Sequence, residues 1–248
     1  DVKRGIDDYL AATDDSRSVP IVNLQCDVDH PTQSMADLLW LEDNFDDLAG
    51  KNITMSWAYS PSYAKPLSVA QGLITLLTRV GANVTLAHPP GYDLTEATMA
   101  AAADNAGRGG SFRVVDDMDE AFAGADVVYP KSWGAYDLMV ERVDANAAGD
   151  TAELAAIEGR ALERNAQFTD WICDERRMAT TAGGDALYMH CLPADIGAEV
   201  SPGVMERHTV NVAREANWKV YVVMALLAGA KVPDLADALT TIEQEARR

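Results

Sequence analysis

Ile53-Thr54-Met55-Ser56-Trp57-Ala58 is a short apolar run of strand composition. A loop holding Pro61 and Pro66 separates it from residues 67–80, which are followed by Asn83-Val84-Thr85-Leu86-Ala87. In the middle segment Leu67, Ala70, Leu73, Ile74 and Leu77 recur at helical spacing, and Gly81 stands where helices commonly end. Strand, helix and strand in this order form a crossover unit, which joins parallel strands. The alternation continues outward with a helix over 95–106, a strand over 112–115, a short helix ending at Phe122 and a strand over 126–129. Residues 186–190 and 208–212 read as two further strands. The pattern predicts a doubly wound parallel α/β sheet over roughly residues 48–212, with ligands bound at the carboxyl ends of its strands. The loops after Trp57, Tyr129 and His190 are therefore the places to look for chemistry.

Two flanks lie outside this unit. Residues 21–24 read as a strand without evident neighbours, and 214–230 and 234–247 as helices parted by Pro233. Both flanks look like pieces of another domain. The 248 residues suffice for one large or two small cores. Asp and Glu outnumber Lys and Arg by 39 to 20, a net charge of −19, which disfavours nucleic acid and anionic membranes as partners. Cys26, Cys173 and Cys191 are too scattered for a disulfide framework or a zinc knuckle, which points to a reducing cytoplasm. The longest apolar run, 220–230, is well short of the roughly 20 residues of a membrane span. No dinucleotide or P-loop glycine motif is present, and the four histidines are dispersed, so no cofactor and no metal is expected. The chain opens on Asp1 rather than Met, which raises the expectation that it is a fragment.

Four segments carry candidate chemistry. In Asp29-His30-Pro31-Thr32-Gln33-Ser34, Pro31 suits the first turn of a helix that Thr32 or Ser34 could cap. His30 and Gln33 would then stand among free N–H groups at the positive dipole end, a place for a carbonyl or an anion. By itself the segment reads equally well as an ordinary capped helix. Tyr188-Met189-His190-Cys191-Leu192-Pro193 runs from a strand into a loop; adjacent strand residues face opposite ways, so His190 is badly placed to activate Cys191 and a thiol hydrolase is rejected. Residues 59–68 form a loop stiffened by two prolines, and Tyr129-Pro130-Lys131-Ser132-Trp133-Gly134 sets a cation beside an aromatic at another strand end. A plain connector and a solvated lysine are the ordinary readings of these two.

His30-Pro31-Thr32-Gln33 and His190-Cys191-Leu192-Pro193, in this order and flanking an α/β unit, resemble the paired signatures of the aspartate/ornithine carbamoyltransferase superfamily. Residues 22–38 and 57–68 resemble more narrowly its knotted YgeW-type branch, kin to the N-acetyl- and N-succinylornithine enzymes. The resemblance covers nearly the whole chain. It implies that residues 1–37 are the tail of a carbamoyl-phosphate domain, 38–212 an amino-acid domain, and 213–248 helices returning to the first domain, with 59–68 as the knot loop.

The implied reaction moves the carbamoyl group of carbamoyl phosphate to a small amine without a cofactor, in a cytoplasmic homotrimer. The resemblance gives His30 the carbamoyl oxygen and Gln33 the carbamoyl group, sets the Leu192 carbonyl on the carbamoyl NH2, and has Cys191 line the junction of the two substrates. Thr32 and Pro193 complete the two substrate-binding motifs. Lys219 stands where the family carries a late arginine, and it can neutralise phosphate without that residue's planar fork. The family's upstream Ser-x-Arg-Thr motif has no equivalent here, which leaves a catalytically silent, metabolite-binding or assembling relative as the alternative. Lys131 replaces the aspartate of ornithine enzymes and reverses the charge offered to an α-ammonium. It would favour an acidic, acylated or ureido substrate, with Trp133 as a wall.

Overall fold

The computed structural model describes residues 2–246. Its elements are α1 (Val2–Ala12), α2 (Pro31–Asn44), β1 (Asn52–Trp57), α3 (Ser68–Arg79), β2 (Asn83–Ala87), α4 (Glu96–Ala106), β3 (Ser111–Val115), α5 (Met118–Phe122) and β4 (Val127–Lys131). There follow α6 (Tyr136–Ala148), α7 (Thr151–Asn165), α8 (Glu175–Met178), β5 (Leu187–Tyr188), α9 (Pro202–Gly229) and α10 (Leu235–Ala246). The five strands form one parallel sheet in the order β3-β2-β1-β4-β5. Winding proceeds one way from β1 through β2 to β3 and the other way from β4 to β5. The reversal lies between β1 and β4, where Trp57 pairs with Lys131 at the carboxyl end.

Helices cover the sheet, so the central strands are apolar on both faces, as a parallel sheet requires. Ile53, Met55, Leu73, Ile74, Leu77, Val84, Leu86, Val127 and Tyr129 are core residues with at most 1% of their surface exposed. Thr54 lies in this core with its hydroxyl on the Ala121 carbonyl (2.6 Å), which satisfies a buried polar group. Gly81, just past α3, has φ +88°, a conformation that glycine adopts without steric cost.

The structure corrects several expectations. Residues 208–212 are part of α9 and not a strand. Ser201 caps that helix by accepting the Val204 N–H, Pro202 takes its first turn, and Val204, Met205, His208, Val212 and Glu215 are buried at helical spacing. A few β-branched side chains do not outweigh such a start. Residues 21–24 are irregular chain, with Ile21 and Leu24 about half exposed and no sheet edge beside them. The strand expected over 186–190 shortens to Leu187–Tyr188. The cap of α2 is His30, not Thr32 or Ser34. Both expected domain boundaries, 37/38 and 212/213, fall inside helices, and these helices, α2 and α9, pack against each other.

Candidate active site

His30 terminates the irregular segment before α2, and Pro31 fixes the first helical φ. The half-buried imidazole faces the Gln33 N–H at 3.4 Å through Nδ1. Burial, and then the charge of Lys219, lower its pKa, so it is neutral at neutral pH. Thr32 is buried, and its hydroxyl is committed to the Leu24 carbonyl at 3.0 Å, tying the incoming chain to α2. Gln33 is fully buried. Its Nε2 donates to Asp37 Oδ1 at 2.6 Å, one helical turn on, while its Oε1 is buried without a partner.

Asp37 is itself fully buried and meets the equally buried Glu215 of α9, carboxyl to carboxyl. Burial pushes Asp37 up to about 7 and Glu215 well above the usual carboxylate range. Both Glu215 oxygens accept the His190 main-chain N–H, at 3.0 and 3.2 Å. Tyr129 of β4 faces Asp37 and Cys191, and Lys219, one turn beyond Glu215, acts on His30, Asp37 and Glu215 alike. The structure therefore brings His30, Gln33, Cys191 and Lys219 to one polar cluster around the buried carboxyl pair, although 160 residues separate the first histidine from the thiol.

Cys191 is held as the thiol: burial pushes it up to about 11 despite the nearby charge of Lys131. His190 turns away from it. The ring accepts the Leu192 N–H on Nδ1 at 2.9 Å and sets Nε2 3.3 Å from Glu199 Oε2. Leu192 has φ +51°, a strained value for a branched residue, and it and Pro193 are exposed. Lys131 is only 7% exposed, donates to the Ser132 carbonyl at 2.9 Å, and has no carboxylate within ion-pair distance among the described residues.

Trp133 departs from expectation. It is fully buried, with its indole N–H on the Tyr92 carbonyl and its own carbonyl accepting from Trp57. It supports the loop from beneath, because its indole N–H finds a partner only in the core, and it offers no wall to a ligand.

A second node braces the loops. Glu199 is fully buried and accepts the main-chain N–H groups of Ser132 (2.7 Å) and Asp195 (2.8 Å). Lys65 of the Pro-containing loop reaches both Glu199 (3.0 Å) and Asp195 (2.7 Å), and Ser60 also donates to Asp195. One carboxylate thus joins the loops after β1, β4 and β5. The sequence reading passed over Asp37, Glu215, Glu199 and Lys65. The Gln33/Asp37 and Glu215/Lys219 spacings of four were the available signal. A cavity of about 480 Å³ opens between that loop and α6, lined by Asp27, Pro66, Leu67, Tyr136 and Arg142 among others; none of the sequence-predicted residues lines it. Among the described residues no group of three His, Cys, Asp or Glu could hold a metal ion, and no helix is long and apolar enough to cross a membrane.

The profile of the aspartate/ornithine carbamoyltransferase Asp/Orn-binding domain matches residues 64–229. The chain belongs to the aspartate/ornithine carbamoyltransferase family. Among relatives in this family, it is 51% identical over 237 residues to the carbamoyltransferase-family protein YgeW of Escherichia coli K12, covering 92% of this chain and 60% of that one. It is 37% identical over 224 residues to an N-acetylornithine carbamoyltransferase of Xanthomonas campestris pv. campestris, covering 87% and 60%. A crystal structure of N-acetyl-L-ornithine transcarbamylase superposes with a TM-score of 0.72 at 32% identity, over 91% of this chain and 64% of that one. A related structure, of a variant complexed with carbamyl phosphate and N-succinyl-L-norvaline, also gives 0.72, at 34% identity, over 92% and 64%. The chain spans about 60% of the length of the curated family members it matches.

Proposed function

We propose that this chain is the amino-acid-binding portion of a YgeW-like carbamoyltransferase that moves the carbamoyl group of carbamoyl phosphate to the amine of an amino-acid-like or ureido substrate. The observation that carries this reading is the meeting of the two motifs. Gln33 with its unpartnered amide oxygen and the Cys191 loop border the Asp37–Glu215 pair, and neutral His30 shares the field of Lys219 with it. In this reading a neutral amine attacks the carbamoyl carbon. The C–O bond to phosphate then breaks, and phosphate leaves with that electron pair and takes up the proton that the attacking nitrogen sheds. His30 donates to the carbonyl oxygen as charge develops there, and Gln33 Oε1 accepts from the carbamoyl NH2. Cys191, as a neutral thiol, lines the junction and forms no covalent intermediate. Lys219 faces the departing phosphate.

Lys131 gives the second substrate its character. Lys65 is already neutralised by Asp195 and Glu199, whereas Lys131 has no counter-ion among the described residues, which supports a carboxylate or acyl oxygen on the amine. The exposed apolar side chains Val220, Tyr221, Met224 and Leu227 on α9, with Leu239 and Ile242 on α10, support docking of these helices on a carbamoyl-phosphate domain of the whole protein. A knotted path through residues 59–68, a homotrimer and a cytoplasmic setting complete the proposal.

The test is the full-length protein supplied with carbamoyl phosphate and a panel of free, acylated and ureido amines, with phosphate release and carbamoylated product both measured. Preference for unmodified ornithine would overturn the Lys131 argument. Stabilisation by a phosphonoacetyl analogue without turnover of any amine would identify a silent relative instead.

A further inference from the structure

Asp37 and Glu215 face each other in a site closed to water, and neither belongs to the His-Pro-Thr-Gln or His-Cys-Leu-Pro motif. Asp37 Oδ1 accepts from Gln33, and the carboxyl also faces Glu215 and the Tyr129 hydroxyl. Both Glu215 oxygens are turned to a single main-chain N–H, that of His190. Two carboxyl groups facing each other in such a site cannot both be ionised, and a proton between them turns their repulsion into a hydrogen bond. The groups facing the pair are Gln33 of α2, Lys219 of α9, Tyr129 of β4, and the His190 N–H and Cys191 of the loop after β5. Lys219 is the one cation among them. A pair holding one proton carries a single negative charge, which Lys219 balances.

We propose that Asp37 and Glu215 share one proton and act as positioning residues that lock the two motifs together. Asp37 sets the Gln33 amide and Glu215 anchors the main chain that carries Cys191. Because a carboxylate oxygen accepts only from the NH2 end of a primary amide, Asp37 fixes which way Gln33 points. The Gln33 carbonyl oxygen is thereby presented as a buried acceptor awaiting a donor, and an NH2 group such as that of a carbamoyl moiety satisfies it. This deepens the carbamoyl-transfer reading and rests on it.

The test uses full-length protein and three variants: D37N, E215Q and D37A. In D37N the amide oxygen accepts from Gln33 and its NH2 donates to Glu215; in E215Q the oxygen accepts from His190 and the NH2 donates to Asp37. Each keeps one negative charge and every hydrogen bond without a shared proton. In wild type the infrared spectrum should show a neutral carboxyl at neutral pH, and either amide variant should lack it. D37A should raise the KM for carbamoyl phosphate about tenfold or more while leaving the KM for the amine unchanged, and D37N should recover most of that loss. A neutral-carboxyl band that persists in both amide variants overturns the shared proton. An active wild type whose D37A variant keeps its KM, or a folded D37N as impaired as D37A, overturns the positioning role alone. Wild type that turns over no amine removes the carbamoyl-transfer reading and the positioning role together, and the infrared result then still decides whether the pair shares a proton.

Discussion

Glu199→Gln tests the brace beneath the three loops. Burial alone would raise the Glu199 carboxyl. The hydrogen bond from His190, the charge of Lys65 and the Asp195 N–H outweigh burial and hold it at about 2, against an ordinary 4.5. A depression of that size corresponds to about 3 kcal/mol of folding stability at neutral pH. Because the folded-state value lies below the unfolded one, this contribution is present above about pH 4.5 and is lost as pH falls toward about 2. Glutamine keeps one acceptor oxygen but removes the charge, and leaves Lys65 with Asp195 alone. In a chain of this length about 3 kcal/mol translates to roughly 6–12 °C in Tm. Thermal unfolding of wild type and E199Q should therefore differ by that much at neutral pH, and the gap should close in acid. A difference below about 1 °C, or a gap independent of pH, would refute the reasoning.

Three further outcomes follow from the same geometry. His30→Ala should lower kcat by about a hundredfold or more in the full-length protein while the unfolding midpoint falls by only a few degrees for the lost cap of α2, and unchanged turnover would remove His30 from the chemistry. Asp37 is raised above its unfolded value, so its contribution is complete below about pH 4 and is lost as pH climbs through about 7. Denaturant titrations from about pH 4 to 8 should show stability falling for wild type up to about pH 7 and levelling beyond it, with a flatter profile for D37N. Gly72→Ala places a Cβ against the Asp29 carboxylate and the Ser34 hydroxyl at the start of α2, and should cost about 1–3 kcal/mol in a urea melt. Wild-type stability in that variant would mean that α2 and α3 part more easily than their packing implies.

The sheet was readable in the chain because β1 and β4 are buried on both faces and alternate with a clean helical period in α3. The two motifs stood out by their unusual residues. What stayed hidden was mostly charge. Asp37, Glu199 and Glu215 look like surface residues in sequence, since a carboxylate is buried only where tertiary partners make it tolerable, and those partners come from elements far apart in the chain. The first half of α9 was misread for a related reason: Val210 and Val212 suggest a strand, whereas the Ser201 cap starts a helix in which the burial of His208 and Glu215 is set by packing on α2 and β5. Helices α6 and α7 gave little signal, because few of their residues are buried.

The 28 residues of α9 make a rod of about 42 Å without an interruption. Its first turns are rooted in the core through Val204 and Val212, Glu215 and Lys219 come midway, and Tyr221, Met224 and Leu227 stand out in water beyond them. Such a rod has no joint at which to dissipate a tilt. Whatever grips the outer end therefore moves Lys219 and Glu215 together, and with them the half of the carboxyl pair that α9 carries against Asp37 of α2.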